Sequence, residues 1–157
     1  MQAALNGQAK SLEILAFRLH GQEFCVKTTT IREIRGWVPA THLPHAPAEV
    51  VGVINLRGTV VPIVDLAVKL GMEAMVASER SAIVVAEVSG TVIGLLVDAV
   101  SDILTVASDN LQPVPQATIG GLDFSEGMIV TDSGMICFLN LQRLFGEGEF
   151  ADCGIAA

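Results

Sequence analysis

A chain of 157 residues that is 51% apolar and only 17% charged is too hydrophobic to remain disordered, and long enough for one compact domain or two small lobes sharing a core. Its 17 acidic against nine basic residues leave a net charge of −8, which repels phosphate backbones and anionic headgroups and sets nucleic acid and membrane surface aside as partners. No apolar run approaches the roughly 18 residues of a membrane helix, since Asp98 and Asp102 interrupt the nearest candidate, and Met1 to Lys10 lacks the apolar run of a signal peptide.

After a short leader, Leu15, Phe17 and Leu19 alternate with Ala16 and Arg18, the period-two pattern of a half-buried strand. His20-Gly21 offers a turn and Phe24-Cys25-Val26 begins the return strand. Ile31 and Ile34 bracket Arg32 and Glu33, and Pro39, Pro44 and Pro47 mark an irregular loop. Next come two apolar runs, Gly52 to Leu56 and Thr59 to Leu66, flanking Arg57-Gly58. Glycine tolerates positive φ, so this reads as a β-hairpin with a polar tip. Leu66 to Leu70 predicts a short helix ended by Gly71, and Glu73 to Arg80 a polar connector.

The second half repeats the first. Gly21, Ile34, Pro44 and Gly52 fall on Gly90, Ile103, Pro113 and Gly121 at a shift of 69, as Ile31 and Glu33 fall on Val100 and Asp102. Leu66 and Gly71 fall on Leu141 and Gly146 at a shift of 75, which implies six extra residues between Gly121 and Gly134. Ser133-Gly134 echoes the Arg57-Gly58 turn. About five short strands per half, with turns at regular spacing, predict two similar all-β lobes, each a small barrel, packed through a shared apolar seam.

Chemical signals are sparse. Cys25, Cys137 and Cys153 are an odd set without C-x-x-C spacing; the first two lie in apolar strand-like runs and read as small buried hydrophobes, a usage that suits a reducing cytoplasm. His42 and His45 flank Leu43-Pro44 in a loop, with no cysteine or carboxylate nearby at metal-ligand spacing. Asp98, Asp102 and Asp109 fit no EF-hand, the serines lack a nucleophile-elbow context, and Gly120-Gly121 and Gly146-Glu147-Gly148 lack phosphate-cradle contexts. The reading is a binding module, with no catalytic residue, metal or cofactor. Arg57 has an opposite charge available in Glu33, which shares a strand face with Ile31 if that segment is extended. The pair is either a surface salt bridge of little energetic weight or a register-setting pair beside an apolar groove anchored by Ile31. The residues leave both readings open.

Asn55-Leu56-Arg57-Gly58 followed by Val61-Pro62-Ile63-Val64-Asp65-Leu66 resembles the signature of the CheW chemotaxis coupling proteins. Ile31-Arg32-Glu33-Ile34-Arg35-Gly36, Gly94 to Leu104 and Leu111-Gln112-Pro113-Val114-Pro115 resemble further segments of that family, over roughly Leu15 to Phe145. The resemblance implies an all-β fold of two SH3-like five-stranded β-barrel lobes around a common hydrophobic seam, with short helices. It implies one domain over 12–150, with a first lobe about 14–72 and a second about 81–146, between flexible termini 1–11 and 147–157. It also implies a non-catalytic adaptor joining the regulatory domain of a CheA-type histidine kinase to chemoreceptor cytoplasmic tips, in the cytoplasm at membrane-associated receptor arrays. Carried over by position, Ile31, Glu33, Gly52 and Arg57 are its partner-binding residues. Ala99 stands where relatives commonly have Gly, which puts a positive φ there in doubt. The competing expectations are a coupler of another chemosensory pathway, such as surface motility, and a small β-barrel enzyme or ligand-binding protein that uses the inter-lobe groove.

Overall fold

The computed structural model describes residues 10–113, 125–132 and 134–145. In chain order the strands are β1 (Ser11–Leu19), β2 (Gln22–Lys27), β3 (Ile31–Gly36), β4 (Val50–Leu56) and β5 (Thr59–Asp65), then the helix α1 (Leu66–Lys69). The second set is β6 (Ala82–Val88), β7 (Thr91–Val97), β8 (Ala99–Ala107), β9 (Leu111–Gln112), β10 (Ser125–Thr131) and β11 (Gly134–Leu139), then α2 (Leu141–Phe145). The all-β class with two SH3-like units and short helices is therefore the fold. The terminal stretches 1–9 and 146–157, with Gly121, Cys153 and Ser133, lie outside the described residues.

Two sheets carry the chain, ordered β8-β1-β2-β11-β10-β9 and β3-β6-β7-β5-β4. They do not follow a division into 14–72 and 81–146. The first-half hairpin β1–β2 completes the sheet of β8, β10 and β11, and the second-half hairpin β6–β7 completes the sheet of β3, β4 and β5. Each imported hairpin is held by an antiparallel ladder on one side (β1 to β8, β6 to β3) and a parallel one on the other (β2 to β11, β7 to β5). The exchange is reciprocal because the two hairpins are copies of each other. The sheet containing β9 has six strands where five were expected, because Leu111–Gln112 adds a short edge pairing with β10.

Three apolar clusters follow from this interleaving. The largest is the shared seam, where Leu15, Phe17, Phe24 and Leu139 of one sheet meet Val84, Ile93, Leu95 and Val97 of the other, closed by Leu66 of α1 and by Leu141, Leu144 and Phe145 of α2. A second cluster, with Ile54, Leu56, Ile63, Ile83 and Val85, belongs wholly to the five-stranded sheet. The third, with Ile14, Ala16, Cys25, Ile129 and Phe138, belongs to the six-stranded one. β1 consequently buries both faces, Leu15, Phe17 and Leu19 toward the seam and Ile14 and Ala16 toward the third cluster. The alternation of large and small apolar residues marked the seam face alone, so the strand is more buried than the half-buried one expected. Each large side chain fully removed from water there contributes about 1.5–3 kcal/mol.

α1 ends as its glycine predicts. Leu70 is the C-cap and Gly71 has φ 85°. Gly71 N–H bonds Val68 O at 2.9 Å and Met72 N–H bonds Ala67 O at 2.8 Å, the paired bonds that close a helix through a left-handed residue. Ala99 is not among the positive-φ residues, so alanine is unstrained at that position.

The halves match more closely in register than their sequences suggested. In both, one strand slips by a residue: Ile31 pairs with Ala86 but Glu33 with Val85, and Val100 pairs with Phe17 but Asp102 with Ala16. A second bulge falls between Val50 and Gly52 and recurs between Ser125 and Gly127. The counterpart of Gly52 is therefore Gly127, not Gly121, and the six extra residues precede Ser125 rather than lying between Gly121 and Gly134. Likewise Leu56 pairs with Thr59 across the first hairpin and Thr131 with Gly134 across its echo. The residue matching Arg57 is Asp132, not Ser133.

Candidate functional site

The tip between β4 and β5 is turned by Arg57 and Gly58, whose φ values are 51° and 88°. Asn55 stabilises it by accepting the Gly58 N–H on Oδ1 at 2.8 Å. Two consecutive left-handed residues match the right-handed twist of the flanking strands. A non-glycine residue held there costs about 1–2 kcal/mol. His20-Gly21 and Ser89-Gly90 make the same kind of turn, so the backbone requires the glycine but does not specify its predecessor. Nothing in the turn calls for arginine.

β3 and β4 are the two edge strands of the five-stranded sheet, and a side chain from the tip that follows β4 reaches β3. There the guanidinium of Arg57 donates from Nη2 to Oε1 of Glu33. Arg35, two residues along the same face of β3, donates from Nη1 to Oε2 at 3.3 Å. One carboxylate thus joins two arginines, and the group carries a net +1 on a protein of net −8. The Arg57 side chain is 70% exposed and that of Glu33 only 24%, so the arginine keeps donors free for an acceptor brought from outside. The hydrogen bond from Arg57 chiefly holds the Glu33 carboxyl below the usual carboxylate range, with Arg35 adding to it and desolvation opposing. The same bond raises Arg57 above the ordinary arginine value.

Glu33 and Arg57 are thus brought together as their charges suggested. Ile31 is not on their face. The slip between Ile31 and Glu33 places Ile31 opposite Ala86, a seam residue, and Glu33 opposite Val85, which faces the private cluster. Residues directly opposite share a face, so the bulge turns Ile31 away from the pair to pack against the seam. Gly52 sits at the other bulge and makes room for backbone: a Cβ there would lie 2.4 Å from Thr41 O. Arg35 went unrecognised in the sequence, although its two-residue spacing from Glu33 was the signal.

His42 and His45 are exposed. Asp98 accepts the His20 N–H on Oδ2 at 2.6 Å, tying the β1–β2 turn to the end of β7, and Asp102 accepts the neighbouring Ile103 N–H at 2.8 Å, so both bond backbone. Among the described residues no group of three or more His, Cys, Asp or Glu side chains could hold a metal ion, and no helix is long and apolar enough to cross a membrane.

An exposed arginine paired with a carboxylate at a hairpin tip, on two interleaved β-sheets with short helices, is the site's geometry, and the class so defined is a small all-β domain of two SH3-like units. The comparisons with known proteins carry this to a family. The model of the CheW-like domain matches residues 13–149, and the chain belongs to that family. It is 51% identical to a probable chemotaxis protein CheW of Rhizobium etli over 138 residues, covering 87% of this chain and 89% of that one. It is 29% identical to the chemotaxis protein CheW of Klebsiella aerogenes, over 94% of this chain and 89% of the other. The crystal structure of the scaffolding protein TtCheW from Thermoanaerobacter tengcongensis superposes with a TM-score of 0.81 at 30% identity, covering 89% of this chain and 96% of that one.

Proposed function

We propose that this protein is a chemotaxis coupling scaffold that joins the regulatory domain of a CheA-type histidine kinase to the cytoplasmic tips of chemoreceptors. It acts in the cytoplasm, recruited to membrane-associated receptor arrays, and transmits by binding rather than catalysis. The observation that carries the reading is an asymmetry within the repeat. Glu33 and Arg57 have Asp102 and Asp132 as their register-matched counterparts, and like charges form no such pair. The second half folds in the same way without the ion pair, so folding does not account for its presence in the first.

Signalling through such a scaffold requires differential affinity: a receptor state that bound it no better than another would shift nothing. Glu33 and Arg57 supply the contact, and Ile31 and Gly52 act through the shape of β3 and β4. The test is a binding assay of the purified protein with a kinase regulatory domain, with and without a receptor-tip fragment. Saturable binding to each and a ternary complex support the reading. Binding to neither partner overturns it.

A further inference from the structure

After α1 the chain lies against the seam as a strap, and three hydrogen bonds hold it there. Ala67 O accepts Met72 N–H at 2.8 Å, Glu73 O accepts from His20 Nε2 at 2.7 Å, and Asp65 Oδ2 accepts Met75 N–H at 2.9 Å. The side chains of Met72 and Met75 pack on the seam, yet both residues stay half-buried and open to solvent. Met75 alone among the partly buried residues described packs on two clusters, the seam and the private cluster of the five-stranded sheet. Its neighbour Val76 is 85% exposed, so the apolar hold of the strap ends at Met75. The other two described methionines are placed differently. Met128 also packs on the seam, but its backbone is fixed between β11 and β9. Met135 is 62% exposed and belongs to none of the three clusters.

We propose that Met72 and Met75 form an oxidation-sensitive latch, a modification site at which hydrogen peroxide releases the strap. A sulfur lone pair attacks one peroxide oxygen, an S–O bond forms and the O–O bond breaks. The proton of the attacked oxygen passes to the departing hydroxide, which leaves as water. The sulfur is thereby oxidised by two electrons to the sulfoxide, and the peroxide is reduced by two. A sulfoxide is polar, and an apolar contact leaves its oxygen without a hydrogen-bond donor. At Met75 that breaks the hold on two clusters at once, and three hydrogen bonds are left to oppose the entropy of a free segment. Leucine fills nearly the same apolar volume as methionine, so packing alone does not call for sulfur at both positions. Met128 cannot respond in this way, because the ladders hold its strand whatever its side chain does. Oxidation of Met135 meets only water. Cys25 and Cys137 are buried and offer no competing target. The latch does not depend on the coupling role.

The test treats the full chain with hydrogen peroxide, locates sulfoxides by peptide mass spectrometry and follows amide exchange at Met75 by NMR. Met135 should oxidise first and leave that exchange unchanged. Exchange should then quicken at least about tenfold in step with sulfoxide at Met72 and Met75, ahead of any at Met128. Methionine sulfoxide reductase should return it to the starting rate. Met72→Leu/Met75→Leu keeps the apolar contacts, so peroxide should not change exchange at position 75 in that variant. The variant also keeps Cys153, which separates the latch from cysteine oxidation. The time course in the parent needs no variant, so the proposal stays testable if the double variant misfolds. Met72 and Met75 oxidising no sooner than Met128, or sulfoxide at both with unchanged exchange, would overturn the proposal. Equal quickening in the folded double variant would do so too.

Discussion

Gly52 and Gly127 occupy one and the same place in the two halves: a Cβ added at either would lie 2.4 Å from a backbone oxygen, Thr41 O in the first and Gln112 O in the second. In each half a segment folds back over a bulged strand and bonds to it, Thr41 to Val53 and Gln112 to Met128. In the first half the bonds run Thr41 N–H to Val53 O at 2.8 Å and Val53 N–H to Thr41 O at 2.9 Å. Gly52→Ala should separate this pair and cost about 1–3 kcal/mol, the worth of two backbone hydrogen bonds. Urea unfolding measures it. A binding defect at Gly52 should therefore come with lost stability, unlike one at Arg57, and an unchanged midpoint would show that the Thr41 bridge contributes nothing.

Asp65 is a buried carboxylate, 5% exposed. Its Oδ1 accepts Val68 N–H at 3.3 Å at the start of α1, and its Oδ2 accepts Met75 N–H at 2.9 Å in the connector. Asp65→Ala should therefore cost about 1–3 kcal/mol, from one cap and one buried bond. It should also release the connector, so that limited proteolysis cuts between Glu73 and Arg80 faster than in the parent. Asp65→Asn keeps an acceptor and should lose less. Equal cleavage of all three proteins would remove the carboxylate from the account.

Local chemistry carried much of this fold. The His20-Gly21 and Arg57-Gly58 turns, the helix stop at Gly71 and the apolar alternation of β1 each depend on neighbouring residues, and each is where the sequence placed it, whereas Gly134, read as the turn glycine of the second hairpin, begins β11. The exchange of hairpins was not legible, because β1–β2 and β6–β7 are near copies and either could complete either sheet by local criteria. Only the connections through Thr28–Thr30 and the 73–80 segment decide between them. The bulge at Ile31 was hidden for a related reason: a one-residue slip reverses a side chain without changing composition. Of the site, the charges of Glu33 and Arg57 were legible. The Asp132 counterpart was not, since it depends on register, while Arg35 was marked only by its two-residue spacing from Glu33.

Burial pushes the Cys25 thiol up to about 12, with Cys137 and Glu23 adding to the effect, and burial also raises Cys137. Thiolate is the reactive form, so both should react with a disulfide reagent at neutral pH only after unfolding. A folded value above the unfolded one means the folded state binds this proton more tightly. The contribution is then complete below the ordinary thiol value of 9.0 and fades as pH rises toward about 12. Stability measured by urea unfolding should fall above about pH 9 in the parent and fall less steeply in Cys25→Ala. Rapid labelling of the folded protein at two or more thiols would contradict the burial of Cys25 and Cys137.

The pair at the hairpin tip should separate binding from folding. Arg57→Glu places two carboxylates where Arg57 and Glu33 now meet, but on an exposed tip of a turn that Gly58 supports. Its thermal midpoint should stay near the parent's, while pull-down of the kinase regulatory domain, the receptor tip or both should weaken at least about tenfold, a change of about 1.4 kcal/mol in binding. Adding Glu33→Arg rebuilds the pair in reverse. If the charges serve only each other, the double variant recovers binding; if Arg57 also meets an acceptor on the partner, it does not. Titration offers a partner-free check. Because Glu33 is held below its ordinary value chiefly by Arg57, its carbon resonance should titrate at lower pH in the parent than in Arg57→Gln. The linked stabilisation is present above the unfolded carboxylate value and is lost only as pH falls through the lower folded one, so the pair should be insensitive to pH across neutrality. Unchanged binding to both partners by Arg57→Glu would refute the role assigned to this arginine.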